Sequence, residues 1–240
     1  MQIRLSRFAG MCGLMILASS ALGAPTGLNT IPTTDTVPYH SWVGQLQNSN
    51  TSFRTPTLFK APYIFAQSQF ALTSKIEAGA DLVPSPDDHT HELVLNIKTL
   101  LMAEDDVRPN AAFGISNLAN HFSPAYYLTF SKTLNYGQVQ HERFRAHHRR
   151  NRKLLGRRIH AGLFLVGQGA LEPFLGSDFQ ISETTVLQTD WIAGPGNAFT
   201  FGFIYILPDQ RTILNPSFLF SNDNQKVDGF FLNISHQFNL

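Results

Sequence analysis

The sequence predicts an all-β chain: a closed antiparallel transmembrane β-barrel of about 12 strands, following a cleaved signal peptide. Three observations carry this expectation. The chain opens with a short basic and apolar leader. The remainder is a series of segments that alternate between apolar and polar residues, separated by turn residues. No later run of apolar residues is long enough for a membrane helix, which needs about 20.

The leader has Arg4 and Arg7 ahead of an uncharged run from Phe8 to Ala21. Small residues at Ala21 and Gly23 place the expected cleavage after Gly23. Residues 1–23 are then signal peptide, 24–39 an N-terminal extended segment, and 40–240 the barrel. Cleavage removes Cys12, the single cysteine, so disulfide and thiol chemistry are excluded from the mature chain.

Composition agrees with a barrel. Charged residues make up 15% of the 240 residues, while 20 are Phe. A mean hydropathy of −0.08 nevertheless rules out a bundle of membrane helices. The formal net charge of +1 hides an uneven distribution. Arg143, Arg145, Arg149, Arg150, Arg152, Lys153, Arg157 and Arg158 fall in one stretch, with Glu142 its single acid. This marks a basic insert at 135–157 in an otherwise mildly acidic body.

Strands follow from period two, because successive side chains of a strand point to opposite faces. Ile76, Ala78, Ala80 and Leu82 alternate with Lys75, Glu77, Gly79 and Asp81. Phe199, Phe201, Phe203 and Tyr205 form an aromatic stripe opposed by Thr200 and Gly202. The last strand presents Phe230, Leu232, Ile234, Phe238 and Leu240 on one face, interrupted by His236. Extended to the whole chain, the pattern predicts strands at 40–48, 62–72, 75–82, 92–102, 110–117, 125–134, 158–168, 171–181, 185–192, 198–206, 212–221 and 229–239. A lipid-exposed sheet edge leaves backbone groups unpaired, so the last strand is expected to pair with the first.

Three regions resemble a known group. The segment Gly27-Leu28-Asn29-Thr30-Ile31-Pro32-Thr33 is similar to the Gly-Leu-x-x-Ile-Pro-Thr opening of a group of Gram-negative outer-membrane β-barrel proteins. Lys75 to Asp81 and Ala103 to Pro109 also look like that group. The resemblance implies an integral outer-membrane barrel, and some members are associated with exopolysaccharide export. The C-terminal alternation resembles the assembly signal of outer-membrane proteins, with Leu240 in place of the usual terminal Phe or Trp. Barrel-assembly machinery and outer-membrane lipid are therefore expected partners.

Alternation places Lys75, Glu77, Asp81, Lys98, Glu172, Asp178 and Asp190 in the lumen. Five are acidic and two basic, which predicts weak cation preference if the pore is open. The basic insert is expected to meet an anionic lipid, polysaccharide or acidic protein, or to remain a solvated loop. Export argues against nucleic acid. His89 and His91, beside Asp87 and Asp88, have metal-like spacing but read as a polar outer loop, and neither metal nor cofactor is expected. The working expectation is a non-enzymatic narrow pore or envelope scaffold, with solute or polysaccharide transport as the process it would serve. One alternative is a barrel enzyme acting on lipid A or another envelope lipid, with His121 and Ser123 as candidates. The other is a secreted soluble β protein.

Overall fold

The computed structural model of the chain describes residues 27–28, 30–48, 51–52, 64–84, 91–118, 124–134, 156–166, 169–194, 197–222 and 229–239. Within them lie twelve long strands and one two-residue strand. In chain order these are β1 (Ser41–Asn48), β2 (Thr51–Ser52), β3 (Ile64–Ala71), β4 (Ile76–Pro84), β5 (His91–Met102), β6 (Asn110–Leu118), β7 (Ala125–Leu134), β8 (Arg157–Val166), β9 (Ala170–Gln180), β10 (Thr185–Ile192), β11 (Ala198–Ile206), β12 (Thr212–Ser221) and β13 (Gly229–Asn239). The long strands match those expected from alternation, each boundary within two residues. The leader, Arg143 to Lys153, His89, His121, Ser123 and Leu240 lie outside the described residues.

From β3 onward each long strand pairs antiparallel with its sequence neighbour, and β1 pairs with both β3 and β13. The closing seam runs from Ser41↔Asn239 to Gln47↔Asn233. Beyond the end of β1, β2 continues along β13 at Gly229 and Phe230. The ring therefore has no free long edge. Strands of 8 to 12 residues suit a membrane crossing, which takes about 9–11 tilted residues.

One end of the barrel, the terminal end, holds Ser41, Asn239 and the compact turns at 72–75, 181–184 and 207–211. Asp209 orders the last of these. It accepts the Arg211 and Thr212 amides, each at 2.9 Å, and the Thr212 hydroxyl. The hydroxyl bond first, then the two amides, hold its carboxyl down to about 2. The longer 103–109 connection is ordered by Asp105, which accepts the Arg108 amide at 2.7 Å and the Val107 amide at 3.0 Å. The β7–β8 connection carrying the basic insert also departs from this end, because Leu134 and Arg157 are register partners there.

Outside, every long strand except β6 carries an exposed large apolar side chain. Examples are Leu46, Phe70, Leu82, Leu163, Leu175, Trp191 and Phe218. On β6 the outward residues Phe113 and Ile115 are half-buried. In β13, Phe230, Leu232, Ile234 and Phe238 take this face. His236 interrupts it at the terminal rim, where its Nδ1 lies 2.8 Å from the Thr212 hydroxyl. The inward face is small and polar. It includes buried Gln67, Gln69, Asn96, Thr129, Gln188, Thr200 and Ser217. The pairing of β5 with β6 has two register shifts, and at the one between Leu95 and Ile97 Asn117 adopts φ 64°, a conformation asparagine tolerates.

Inward glycines make room for rings. Gly114 lies opposite Tyr127, and a Cβ on Gly114 would sit 2.1 Å from the ring. Gly162 stands in the same relation to Phe174, at 2.3 Å. Changing Gly114→Ala should therefore destabilise the refolded barrel by about 1–3 kcal/mol, the usual range for overpacking. Among the described residues the buried Tyr127 hydroxyl has no hydrogen-bond partner, so Tyr127→Phe should be neutral or stabilising. Urea unfolding in detergent checks both, and an unchanged midpoint for Gly114→Ala would contradict the packing.

Candidate functional site in the barrel lumen

The described residues among 27–40 do not join the sheet. They run inside the barrel, from His40 at the terminal end towards the upper part of β9 and β10. Leu28, Ile31, Thr33, Thr34 and Val37 are all buried there. We call this segment the strap. Its backbone lacks strand neighbours, so buried N–H and C=O groups must find partners elsewhere. Pro32 and Pro38 reduce the demand, since proline has no N–H.

The wall supplies the partners. Asp190 accepts the Thr30 amide at 3.0 Å and the Thr30 hydroxyl at 2.6 Å. Ser131 Oγ accepts the Thr34 amide at 3.3 Å, and Glu77 accepts the Val37 amide at 2.6 Å. In the other direction, Thr129 donates to the Pro32 carbonyl at 3.1 Å. Lys98 Nζ donates to the carbonyls of Thr33, at 3.4 Å, and Asp35. Five wall side chains on four strands thus hold one short stretch of main chain.

Charge reinforces this attachment. Arg158 Nη1 lies 2.7 and 2.8 Å from the two carboxylate oxygens of Asp35, and Nη2 contacts the Thr34 hydroxyl at 3.4 Å. Lys98 stands 3.8 Å from Glu77, both side chains fully buried. The strap's inner end is apolar. Leu28 and Ile31 pack with Phe174 and Ile192. Gly176 opens the wall for them, because a Cβ there would come within 2.5 Å of both side chains. A tight turn caps the strap: Leu28 N donates to Ile31 O at 3.0 Å, and Gly27 bridges Pro32. A side chain at Gly27 would meet Ile31 O at 2.6 Å.

Of the residues expected to line the lumen, Glu77, Asp81, Lys98, Asp178 and Asp190 are buried inside. Glu172 is half-buried, with inward parity near the far rim. Lys75 departs from expectation: β4 begins one residue later, leaving Lys75 in the exposed 72–75 turn. The basic stretch also divides. β8 starts at Arg157, so alternation turns Arg157 outward and Arg158 inward to Asp35. Arg158 is thus an internal anchor and not part of an exposed anion contact. His91 opens β5, exposed, with Nε2 3.1 Å from Ile64 O. The cation preference expected of an open lumen lacks its premise, because the strap occupies the space beside these carboxylates.

A Ser–His–Asp chain also lies in the wall. Ser131 Oγ is 2.7 Å from His160 Nδ1, and His160 Nε2 is 3.1 Å from Asp178 Oδ2. These residue types can generate a nucleophile when the hydroxyl meets a substrate. Here Ser131 Oγ receives the Thr34 amide, and the strap fills the approach. Proton roles are coherent if the Ser131 hydroxyl donates to Nδ1 and Nε2–H donates to Asp178. The chain therefore fixes the acceptor that the strap uses.

Breaking a buried ion pair from one side leaves an uncompensated charge, at a cost of about 3–5 kcal/mol. Arg158→Gln and Asp35→Asn should each destabilise on that scale, and the double variant should lose well short of the sum. Urea unfolding with hydrogen–deuterium exchange of residues 30–37 reads the effect. Additive losses would show that the two groups do not act on each other.

Compared with known proteins, the chain matches no family model and no curated protein.

Proposed function

We propose that the protein is an integral outer-membrane β-barrel that the strap keeps closed, serving as a non-enzymatic narrow pore when the strap is withdrawn. The observation that supports membrane insertion is the apolar belt, which passes around the circumference on β1, β3–β5 and β7–β13. Soluble monomers rarely expose apolar patches above a few hundred Å2, and a belt on eleven of the twelve long strands, with half-buried Phe113 and Ile115 on β6, is suited to lipid around the barrel. By analogy with bacterial barrels, the terminal end is assigned to the periplasm. Outer-membrane lipid and the barrel-assembly machinery are then the partners, and the leader directs export.

A pore is favoured over a permanently filled scaffold by the way the strap is held. Its attachments are side-chain bonds to the wall, so withdrawal leaves every strand ladder of the ring intact. The barrel-enzyme alternative gains nothing from the Ser131–His160–Asp178 chain, which the strap covers.

Refolding into lipid or detergent tests the membrane assignment. The chain is expected to give a compact, protease-resistant species that migrates differently in gels before and after boiling. A water-soluble monomer without detergent, unchanged in migration on heating, would overturn it.

A further inference from the structure

We propose that the outer wall of β8–β10, beside the terminal rim, binds the headgroup of an anionic glycerophospholipid. A shallow groove of about 320 Å3 is lined there by Arg157, Ser177, Phe179, Leu187 and Thr189. These residues form two rows across the strands. Arg157 pairs with Phe179, which pairs with Leu187, and Ser177 pairs with Thr189 one step further from the rim.

The composition of the groove is unusual for its position. Neighbouring outward residues are apolar, including Ile159, Leu163, Leu175 and Trp191. Two hydroxyls and a guanidinium interrupt that surface together. Arg157 Nε reaches Ser177 Oγ at 3.4 Å, a long contact on an exposed side chain. The guanidinium keeps donors for another acceptor, and a planar fork of N–H groups suits a phosphate. Among the described residues, no carboxylate shares the outward face of β7–β11.

Charge complementarity selects the occupant. The site offers a cation and hydroxyl donors at the rim, continuous with apolar wall further from it. A phosphodiester would meet Arg157, with the Ser177 and Thr189 hydroxyls beside it, while acyl chains lie along Ile159 and Leu175. A zwitterionic lipid has the same phosphate but adds a cation that Arg157 repels. This assignment rests on the membrane reading above and makes the terminal-end leaflet the one containing the lipid.

The test uses the refolded full chain in micelles carrying equal amounts of phosphatidylglycerol and phosphatidylcholine. Native mass spectrometry reads the retained lipid, and gel migration before and after boiling reads barrel formation. Wild type should retain phosphatidylglycerol preferentially, and Arg157→Gln should lower that retention by about tenfold, as expected for loss of one charge-assisted contact. Ser177→Ala with Thr189→Val should lower it less. Arg211→Gln, which removes an exposed cation in a different turn at the same end, should leave it unchanged. Equal retention of the two lipids, or equal losses for Arg157→Gln and Arg211→Gln, would overturn the site while the barrel stands. Failure to form the heat-modifiable species would overturn the membrane reading, and the lipid site with it.

Discussion

Pairing of β1 with β13 is the constraint on which the rest of the structure depends. A strand edge facing lipid leaves each N–H and C=O without water or partner, at several kcal/mol per group. Seven register pairs from Ser41↔Asn239 to Gln47↔Asn233 close the ring. Trp42 stacks on Phe238 across that seam, with ring centroids 4.1 Å apart and planes 9° from parallel. Once the ring is closed, alternation has only two destinations. Most large apolar residues go outward, and most of the charged ones share one enclosed space.

That enclosure creates a second requirement. Glu77, Lys98, Asp178 and Asp190 are desolvated inside the wall, and buried charges need opposite charges or hydrogen bonds. Eight-stranded barrels fill their interiors with side chains, whereas wider ones leave room. With twelve long strands, the strap supplies both volume and partners. Its main-chain amides meet the carboxylates of Glu77 and Asp190, its carbonyls meet Lys98, and Asp35 meets Arg158. The strap and the wall charges satisfy each other, which links filling of the lumen to the identity of the residues lining it.

Much of the ring was legible because period two is a local signal. Ile76 to Leu82 reveals its two faces without knowledge of its neighbours, and the same holds for Phe199 to Tyr205. The strap was not legible as a plug. An extended Thr- and Pro-containing segment has the same pattern whether it lies in solvent or in a lumen, and its inward residues Leu28 and Ile31 meet a gap made by a distant glycine, Gly176. Arg157 and Arg158 part because β8 takes in both, and adjacent residues of a strand face opposite sides. Asp178 was expected in the lumen, but its grouping with Ser131 and His160 was not legible, for a related reason. They are neighbours through the cross-strand pairs Ser131↔His160 and Arg158↔Asp178, and such registers are not readable from any one segment. A cross-strand scan of inward polar residues in adjacent predicted strands could have found them.

In the proposed function, the N-terminal segment closes a lumen that is otherwise permeable. Single-channel recording in planar bilayers, comparing the intact barrel with one lacking residues 27–37, addresses it most directly. The intact chain should be quiet. The shortened chain, still heat-modifiable, should conduct with cation preference, because Glu77, Asp81, Asp178 and Asp190 outnumber Lys98 and Arg158 on its buried wall. Equal conductance from both chains, or silence from a correctly folded shortened barrel, would contradict it.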